Sequence, residues 1–263
     1  MGRLIDTTDL EGTPAAVLHN ADGNGQVLLV CEHAANRIPA ALDNLELDEA
    51  TRLSHVAWDP GALAVAQEIS RILDARLVAS TVSRLVYDCN RPPKAPGAMP
   101  KRSEVFDIPG NQNLNDAEKA ARVATVYEPF RTLLADTITS SPTPPVLVTI
   151  HSFTPVYQGK QRDVEIGILH DSDTRLADAM LALAPTHTEL NAWRNDPYGP
   201  DDGVTHTLKL HALPNGLLNV MIEVRNDLIA TTDQQLAIAK TLAGLITDAL
   251  ANTEHETEAQ CHA

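Results

Sequence analysis

The sequence is poor in positive charge, in cysteine and in long apolar runs, and each shortage removes a class of function. Its 20 lysines and arginines face 35 acidic residues, a formal net charge of −15, and no basic run exceeds the pair Lys101-Arg102. That is no footprint for a phosphate backbone, so no nucleic-acid partner is expected. The longest apolar runs, such as Val27–Cys31, are about five residues, against roughly twenty for a spanning helix, so no membrane partner is expected either. Three cysteines, Cys31, Cys89 and Cys261, are odd in number and lack metal-type spacing, which argues against a disulfide framework or a cysteine zinc site and suits a reducing cytoplasm. The opening stretch MGRLIDTTDLEG has no apolar core of a secretory signal. GxSxG, GxGxxG, P-loop and HExxH patterns are all missing, so the common nucleophile, nucleotide and helical-zinc signatures give no support.

What is present is an ordinary globular composition, 43% hydrophobic and 21% charged over 263 residues, with no shift that marks a domain boundary. We expect one domain over 1–263 with a polar tail from about 252. Strand-like and helix-like segments alternate. Val27–Glu32 follows the turn cluster Asp22-Gly-Asn-Gly25 and is apolar enough to be a buried strand. Asp59-Pro60-Gly61 offers an N-cap and a first-turn proline for a helix over Ala62–Leu73, with Leu63, Ala66, Ile69, Ile72 and Leu73 on one face. Arg76–Thr81, Leu85–Asp88, Val146–Ile150, Val164–Leu169 and Leu218–Val224 read as strands. Asn115–Ala135 (kinked at Pro129), Asp173–Ala184, the stretch 203–212 and Thr232–Ala251 read as helices. Five prolines between Arg91 and Gly110, and a Pro/Gly/Asp cluster over Asn195–Gly203, are loops. The alternation implies an α/β sheet with helices on both faces.

The unusual polar residues fall at strand ends: Glu32-His33, Asp88-Cys-Asn-Arg91, His151-Ser152 and Glu223-Val-Arg225. Ligands of open α/β sheets bind outside the carboxyl ends of strands, so these residues converge on one crevice. Histidines at two strand ends suit a metal, which needs about three protein ligands. A carboxylate such as Glu223 can take a proton from an activated water, although a salt bridge to Arg225 on the same strand face is the competing reading. Asn90-Arg91 offers an amide and a guanidinium for carboxylate recognition.

Six segments in order, Cys31-Glu-His-Ala-Ala-Asn-Arg-Ile-Pro39, His55-Val-Ala-Trp-Asp-Pro-Gly61, Ser83-Arg-Leu-Val-Tyr-Asp-Cys-Asn-Arg-Pro92, Ile150-His-Ser-Phe-Thr-Pro155, Asn195-Asp-Pro-Tyr-Gly199 and Ile222-Glu-Val-Arg-Asn-Asp-Leu228, resemble the N-formylglutamate amidohydrolase family. That family is in turn similar to the zinc carboxypeptidases. The resemblance implies a three-layer, carboxypeptidase-like fold with a mixed, mostly parallel twisted sheet. It also implies that His33 and His151 bind a divalent metal, zinc by preference, that Asn90 and Arg91 grip a substrate carboxylate, and that Glu223 activates water. The carboxypeptidase pattern HxxE departs here to Asn36. The third ligand is therefore open among Asp59, Asn36 and Glu32, with Asp59 preferred over its alternative as a helix cap and Glu32 ranked lower.

Arg84 and Arg225 are the further cations expected near the site, for a second carboxylate. Tyr198 is expected to close over the substrate and His206 to contact it. The expected activity is hydrolysis of N-formyl-L-glutamate, or a related N-acyl acidic amino acid, to formate and glutamate. The alternatives are a hydrolase of another N-acyl amino acid or short peptide, and a non-catalytic protein that binds an acidic metabolite. The partner in each case is a small anionic amino-acid derivative. The acidic net charge is then carried by helix surfaces and termini, while the arginines make the local sign at the cleft positive.

Overall fold

Seven strands form the central sheet of the computed structural model, which describes residues 4–261, with side chains through Thr253. They are β1 (Ala16–His19), β2 (Val27–Cys31), β3 (Arg76–Ser80), β4 (Val146–Phe153), β5 (Ile166–Leu169), β6 (Ala192–Arg194) and β7 (Asn219–Arg225). Their spatial order is β1-β3-β2-β4-β7-β5-β6. β3, β2, β4 and β7 run parallel, β1 is antiparallel to β3, and β5 is antiparallel to β7. The sheet is thus mixed and mostly parallel, and β2, β4 and β7 end on one edge.

Both faces of the sheet are buried, which is why β2 and β4 are apolar or small at nearly every position. Alternate residues separate cleanly in β2: Leu29 and Cys31 join one core, Leu28 and Val30 the other. The first core is shared with helices α1 (Ala62–Leu73), α4 (Arg175–His187) and α5 (Thr232–Cys261). The second includes Phe130 and Leu134 of α3 (Glu128–Thr139), which follows α2 (Asp116–Arg122).

Several sequence expectations shift. Leu85–Asp88 is not a strand but a turn, so Asp88–Arg91 reaches the sheet edge on an irregular segment. β1 and β6, too short and too polar at their exposed positions to stand out, border the sheet. In α1 the buried residues are Ala62, Val65, Ala66, Ile69 and Ser70, while Ile72 is exposed. The helix lies between the sheet and α5, so its buried arc is wider and rotated from the single stripe expected. Pro129 does not simply kink a helix: a π-turn over Val123–Tyr127 joins α2 to α3 and widens the turn whose hydrogen bond proline cannot donate. Residues 203–212 are helical with a π-turn at Leu208–Ala212. The polar tail from Asn252 continues α5 to Cys261, and the side chains of His255 and Cys261, with all of His262, lie outside what is described. Among the described residues no helix is long and apolar enough to cross a membrane.

Candidate active site

The site assembles where β2, β4 and β7 end. His33 follows Glu32 off β2, and because successive residues alternate, His33 faces out of the strand end while Glu32 is buried beneath His151. Glu223 of β7 pairs in register with His151 of β4. Gly167 of β5 lies opposite Glu223; a Cβ there would come within 3.1 Å of the Glu223 Cβ and collide with the Asp196 carbonyl. Its lack of a side chain lets the Asn195–Gly199 loop approach Glu223.

Asp59 is not the cap of α1. Gly61 caps that helix with a left-handed backbone (φ 83°), and Asp59 instead donates its N–H to the His33 carbonyl at 3.0 Å. This tether aims its carboxylate at the two histidines. Asp59 Oδ2 lies 3.2 Å from His33 Nδ1 and 2.9 Å from His151 Nδ1, and the two Nδ1 atoms are 3.2 Å apart. All three residues are buried.

These three donors fit a metal. Four-coordinate zinc with bonds of about 2.0–2.2 Å sets its ligand atoms about 3.3 Å apart, close to the triangle found here. The outer ring nitrogens support the same reading. His33 Nε2 is hydrogen-bonded to Asp88 Oδ1 at 2.7 Å, and His151 Nε2 is 3.0 Å from Glu32 Oε2. A proton held at His33 Nε2 by Asp88, and one drawn to His151 Nε2 by the nearby charge of Glu32, would leave both Nδ1 lone pairs facing the centre, the arrangement metal-bound histidines require. The electrostatics agree. Burial would raise the Asp59 carboxyl, but His33 and His151 outweigh it and hold it well below the carboxylate range. Burial would lower His151, but Glu32 and Asp59 outweigh it and raise it well above the usual value. The pocket draws positive charge to the point between these groups, and a cation would take the place of protons there.

Burial pushes the Glu223 carboxyl up to about 7, with His151, His33 and Arg84 opposing and Asp59 adding to the rise. Its Oε2 is buried without a hydrogen-bond partner. A carboxylate held this way beside a candidate metal centre is poised to exchange a proton.

The arginines are less free than the sequence suggested. Arg84 bridges Asp59 Oδ1 at 3.3 Å and Asp88 Oδ2 at 3.1 Å. Arg91 lies 3.8 Å from Asp88 and donates Nη1–H to the Asp202 carbonyl at 2.6 Å. Asn90 lines the cavity, but its amide is engaged by the chain: Nδ2 donates to the Val204 carbonyl, and Oδ1 accepts from the Thr207 N–H at 3.0 Å. Tyr198 lines the cavity and its hydroxyl accepts from Arg162 at 3.0 Å.

Two expected residues are not brought in. Arg225 does not line the cavity; its guanidinium is paired with Asp227 Oδ1 at 2.8 Å and Glu165 Oε1 at 3.2 Å. Nor does it bridge Glu223, the competing reading for that pair. His206 also lies outside the cavity lining, its Nε2 2.9 Å from the Tyr127 hydroxyl. Asn36 donates to the Arg52 carbonyl at 3.2 Å and takes no part in the ligand cluster.

The cavity above the cluster measures about 380 Å³, ample for an amino-acid derivative. Sequence reasoning missed three features of it: Asp88 as the partner of His33, Glu32 as the partner of His151, and the pair His55–Glu104 on its wall at 2.7 Å. The first two had a signal, since a buried histidine needs a carboxylate or carbonyl and both sat inside the quoted segments. The third depends on the path of the proline-rich loop.

Comparison with known proteins adds the following. The model of a family described as N-formylglutamate amidohydrolase matches residues 25–230. A crystal structure of a gene product from Agrobacterium tumefaciens is 54% identical, with 96% of this chain and 100% of that one covered and a TM-score of 0.91. The crystal structure of N-formylglutamate amidohydrolase from Ralstonia eutropha is 16% identical, with 92% and 98% covered and a TM-score of 0.63, a likeness of fold. No curated protein matches the chain.

Proposed function

The chain belongs to the N-formylglutamate amidohydrolase family, and from that premise we propose that it is a metal-dependent hydrolase of an N-formyl amino acid, releasing formate and the free amino acid. N-formyl-L-glutamate is the first substrate to assay, because the family carries its name. The observation that carries the reading is the triangle of His33, Asp59 and His151 donors beside the unpartnered carboxyl oxygen of Glu223.

His33, Asp59 and His151 would hold a divalent cation, zinc by preference. When bound, that cation supplies charge that polarises the formyl oxygen and acidifies water. Glu223 accepts a proton from the attacking water and delivers it to the leaving nitrogen as the C–N bond breaks. Asp88 and Glu32 keep the two imidazoles in the Nε2–H tautomer. Arg84 pins Asp59 and Asp88 in place, Arg91 with Asn90 behind it receives the substrate carboxylate, and Tyr198 covers the bound molecule. Arg225 and His206 have no part in this assignment.

A three-layer, carboxypeptidase-like architecture and a single domain belong to the same proposal, supported by apolar cores on both faces of one sheet. A reducing, cytoplasmic setting is supported by Cys31 and Cys89, both buried and free. The test measures bound metal and formate release from N-formyl amino acids. A stoichiometric divalent ion whose removal by chelator abolishes formate release, and whose return restores it, is expected. Formate release that persists in metal-free protein would overturn the metal role.

A further inference from the structure

Three guanidiniums line the cavity, those of Arg84, Arg91 and Arg102, and they are not equally available. Arg84 spans the buried carboxylates of Asp59 and Asp88, and drawing it away would leave buried charge uncompensated. In the proposed reaction Arg91 meets the one carboxylate that every N-acyl amino acid carries. Arg225, the other cation expected from the sequence, is paired with Glu165 and Asp227 away from the cavity. A second carboxylate on the substrate is therefore left with Arg102.

Arg102 combines a fixed backbone with a loosely held head. It opens a short hairpin in which Arg102–Ser103 pairs with Phe106–Asp107. The base of the hairpin is firm. The Ile108 N–H donates to the Lys101 carbonyl at 2.9 Å, Asn111 Nδ2 donates to the Pro100 carbonyl at 2.8 Å, and Asn111 Oδ1 is held by the buried Arg122. The turn is fastened to the cavity wall through Glu104 Oε1, 2.7 Å from His55 Nε2, so that carboxylate is already engaged. The guanidinium is another matter. Nε donates to the Glu104 carbonyl at 3.1 Å and Nη1 to Asp107 Oδ1 at 3.2 Å, and neither bond uses Nη2. The Arg102 and Asp107 side chains are 61% and 66% exposed, and Asp107 is not part of the cavity lining. An exposed pair of this kind contributes little to stability, so trading Asp107 for a carboxylate inside the cavity costs little. The planar fork of the guanidinium can then offer two parallel N–H donors to that carboxylate.

We propose that Arg102 receives the side-chain carboxylate of an acidic N-formyl amino acid, leaving Asp107 for the substrate while Arg91 holds the other carboxylate. This rests on reading the cavity as that of an N-formyl amino acid hydrolase. It makes Arg102 a specificity-determining residue and the hairpin of the proline-rich loop the element that selects an acidic side chain.

The experiment compares kcat/KM for N-formyl-L-glutamate and N-formyl-L-glutamine, alike in shape and different in charge, on the wild-type holoenzyme, on Arg102→Gln and on Asp107→Asn. The wild type is expected to favour the glutamate derivative by about tenfold or more, the worth of one charge-assisted hydrogen bond. In Arg102→Gln the glutamate-to-glutamine ratio falls toward one. In Asp107→Asn, which releases the guanidinium, the ratio stays at or above the wild-type value. A wild type without preference for glutamate, or a ratio that survives Arg102→Gln, overturns the proposal. So does a ratio lost equally in both variants, which would make the Arg102–Asp107 pair a brace of the hairpin. If neither derivative is hydrolysed, the activity reading fails, and calorimetry with free L-glutamate and L-glutamine decides the subsite on its own. Tighter glutamate binding that weakens in Arg102→Gln supports it; equal, absent or reversed binding overturns it.

Discussion

Glu223 and His151 lie directly opposite one another in adjacent parallel strands, so the register of the sheet itself sets the carboxylate beside the imidazole. A site built on paired strands is held more rigidly than one on loops, and a shift by a single residue would send both side chains to the other face. The pairing predicts that Glu223→Gln keeps its metal and its fold but loses the proton shuttle. We expect kcat to fall by about 10²–10⁴-fold with KM little changed. Steady-state kinetics alongside metal analysis check this, and near-wild-type kcat with metal bound would remove Glu223 from its role.

On the proposed reading, the carboxylates behind the histidines would act on a bound metal rather than on the substrate. Asp88→Asn removes the charge that holds the Nε2 proton of His33, and Glu32→Gln does the same behind His151. Each is expected to weaken metal affinity by about 10–100-fold. Competition with a chromogenic chelator reads this without any assay of turnover. Unchanged affinity in both variants would mean that the outer nitrogens do not set the ligand state.

How far this site could be read from the sequence depends on where each residue lies. His33, His151 and Glu223 sit at the ends of strands whose apolar runs are unmistakable, so their convergence follows from the parallel sheet alone. Asp59 was legible as the preferred third ligand, but with a helix cap as an equal alternative that only the structure removes. A left-handed glycine two positions on takes over the cap, and only the tether to the His33 carbonyl shows which way the carboxylate turns. Arg225 shows the opposite failure. Strand alternation put it on the face of Glu223, but Glu165, distant in sequence, and Asp227 claim its guanidinium. Local periodicity carries no information about such partners. Leu85–Asp88 misled for a related reason: the apolar run Leu85-Val86-Tyr87 is buried here in a turn, without a strand to pair with.

Arg91→Ala should separate binding from chemistry. Its guanidinium is positioned by the Asp202 carbonyl and faces the cavity without touching the metal-ligand triangle. Loss of a charge-assisted contact to the substrate carboxylate raises KM by about tenfold or more while kcat changes less. A fall confined to kcat would place Arg91 with the reacting groups instead.

Arg162 is expected to shape the cavity wall from behind. Its guanidinium lies over Phe153, Tyr157 and Tyr198 at 5.4, 4.6 and 4.9 Å from the ring centres, and donates to the Tyr198 hydroxyl. These rings come from the end of β4, the hairpin after it and the Asn195–Gly199 region, which the one guanidinium joins. Cation–π contacts are worth about 0.5–1 kcal/mol each at partly exposed sites. Arg162→Met should therefore raise KM several-fold with kcat nearly intact, and Arg162→Lys should restore part of the loss. Equal losses in kcat and KM for both variants, or no change, would count against a positioning role.

His211 should contribute a loss of stability on mild acidification, opposed over the same window by Glu223, whose carboxyl is raised to about 7 in the folded state. His211 is 7% exposed, and burial, assisted by His206 and Arg131, lowers its pKa to about 4. An unfolded histidine titrates near 6.5. Between these values the unfolded chain binds a proton that the folded chain refuses, so this contribution to stability rises with pH across this window and is lost as pH falls from about 6.5 to about 4. The full shift corresponds to at most about 3 kcal/mol. The buried carboxylates Asp59 and Asp88 are held below their ordinary range, so their loss belongs to pH values below about 4. His33 and His151 have the opposite sign: their raised pKa values give stability that is present below about 6.5 and lost as pH rises through the folded values. Urea unfolding midpoints at intervals from pH 7 to pH 4 should therefore fall less steeply in His211→Gln than in the wild type. Parallel curves for the two proteins would show that His211 accepts its proton in the folded state as readily as in the unfolded one.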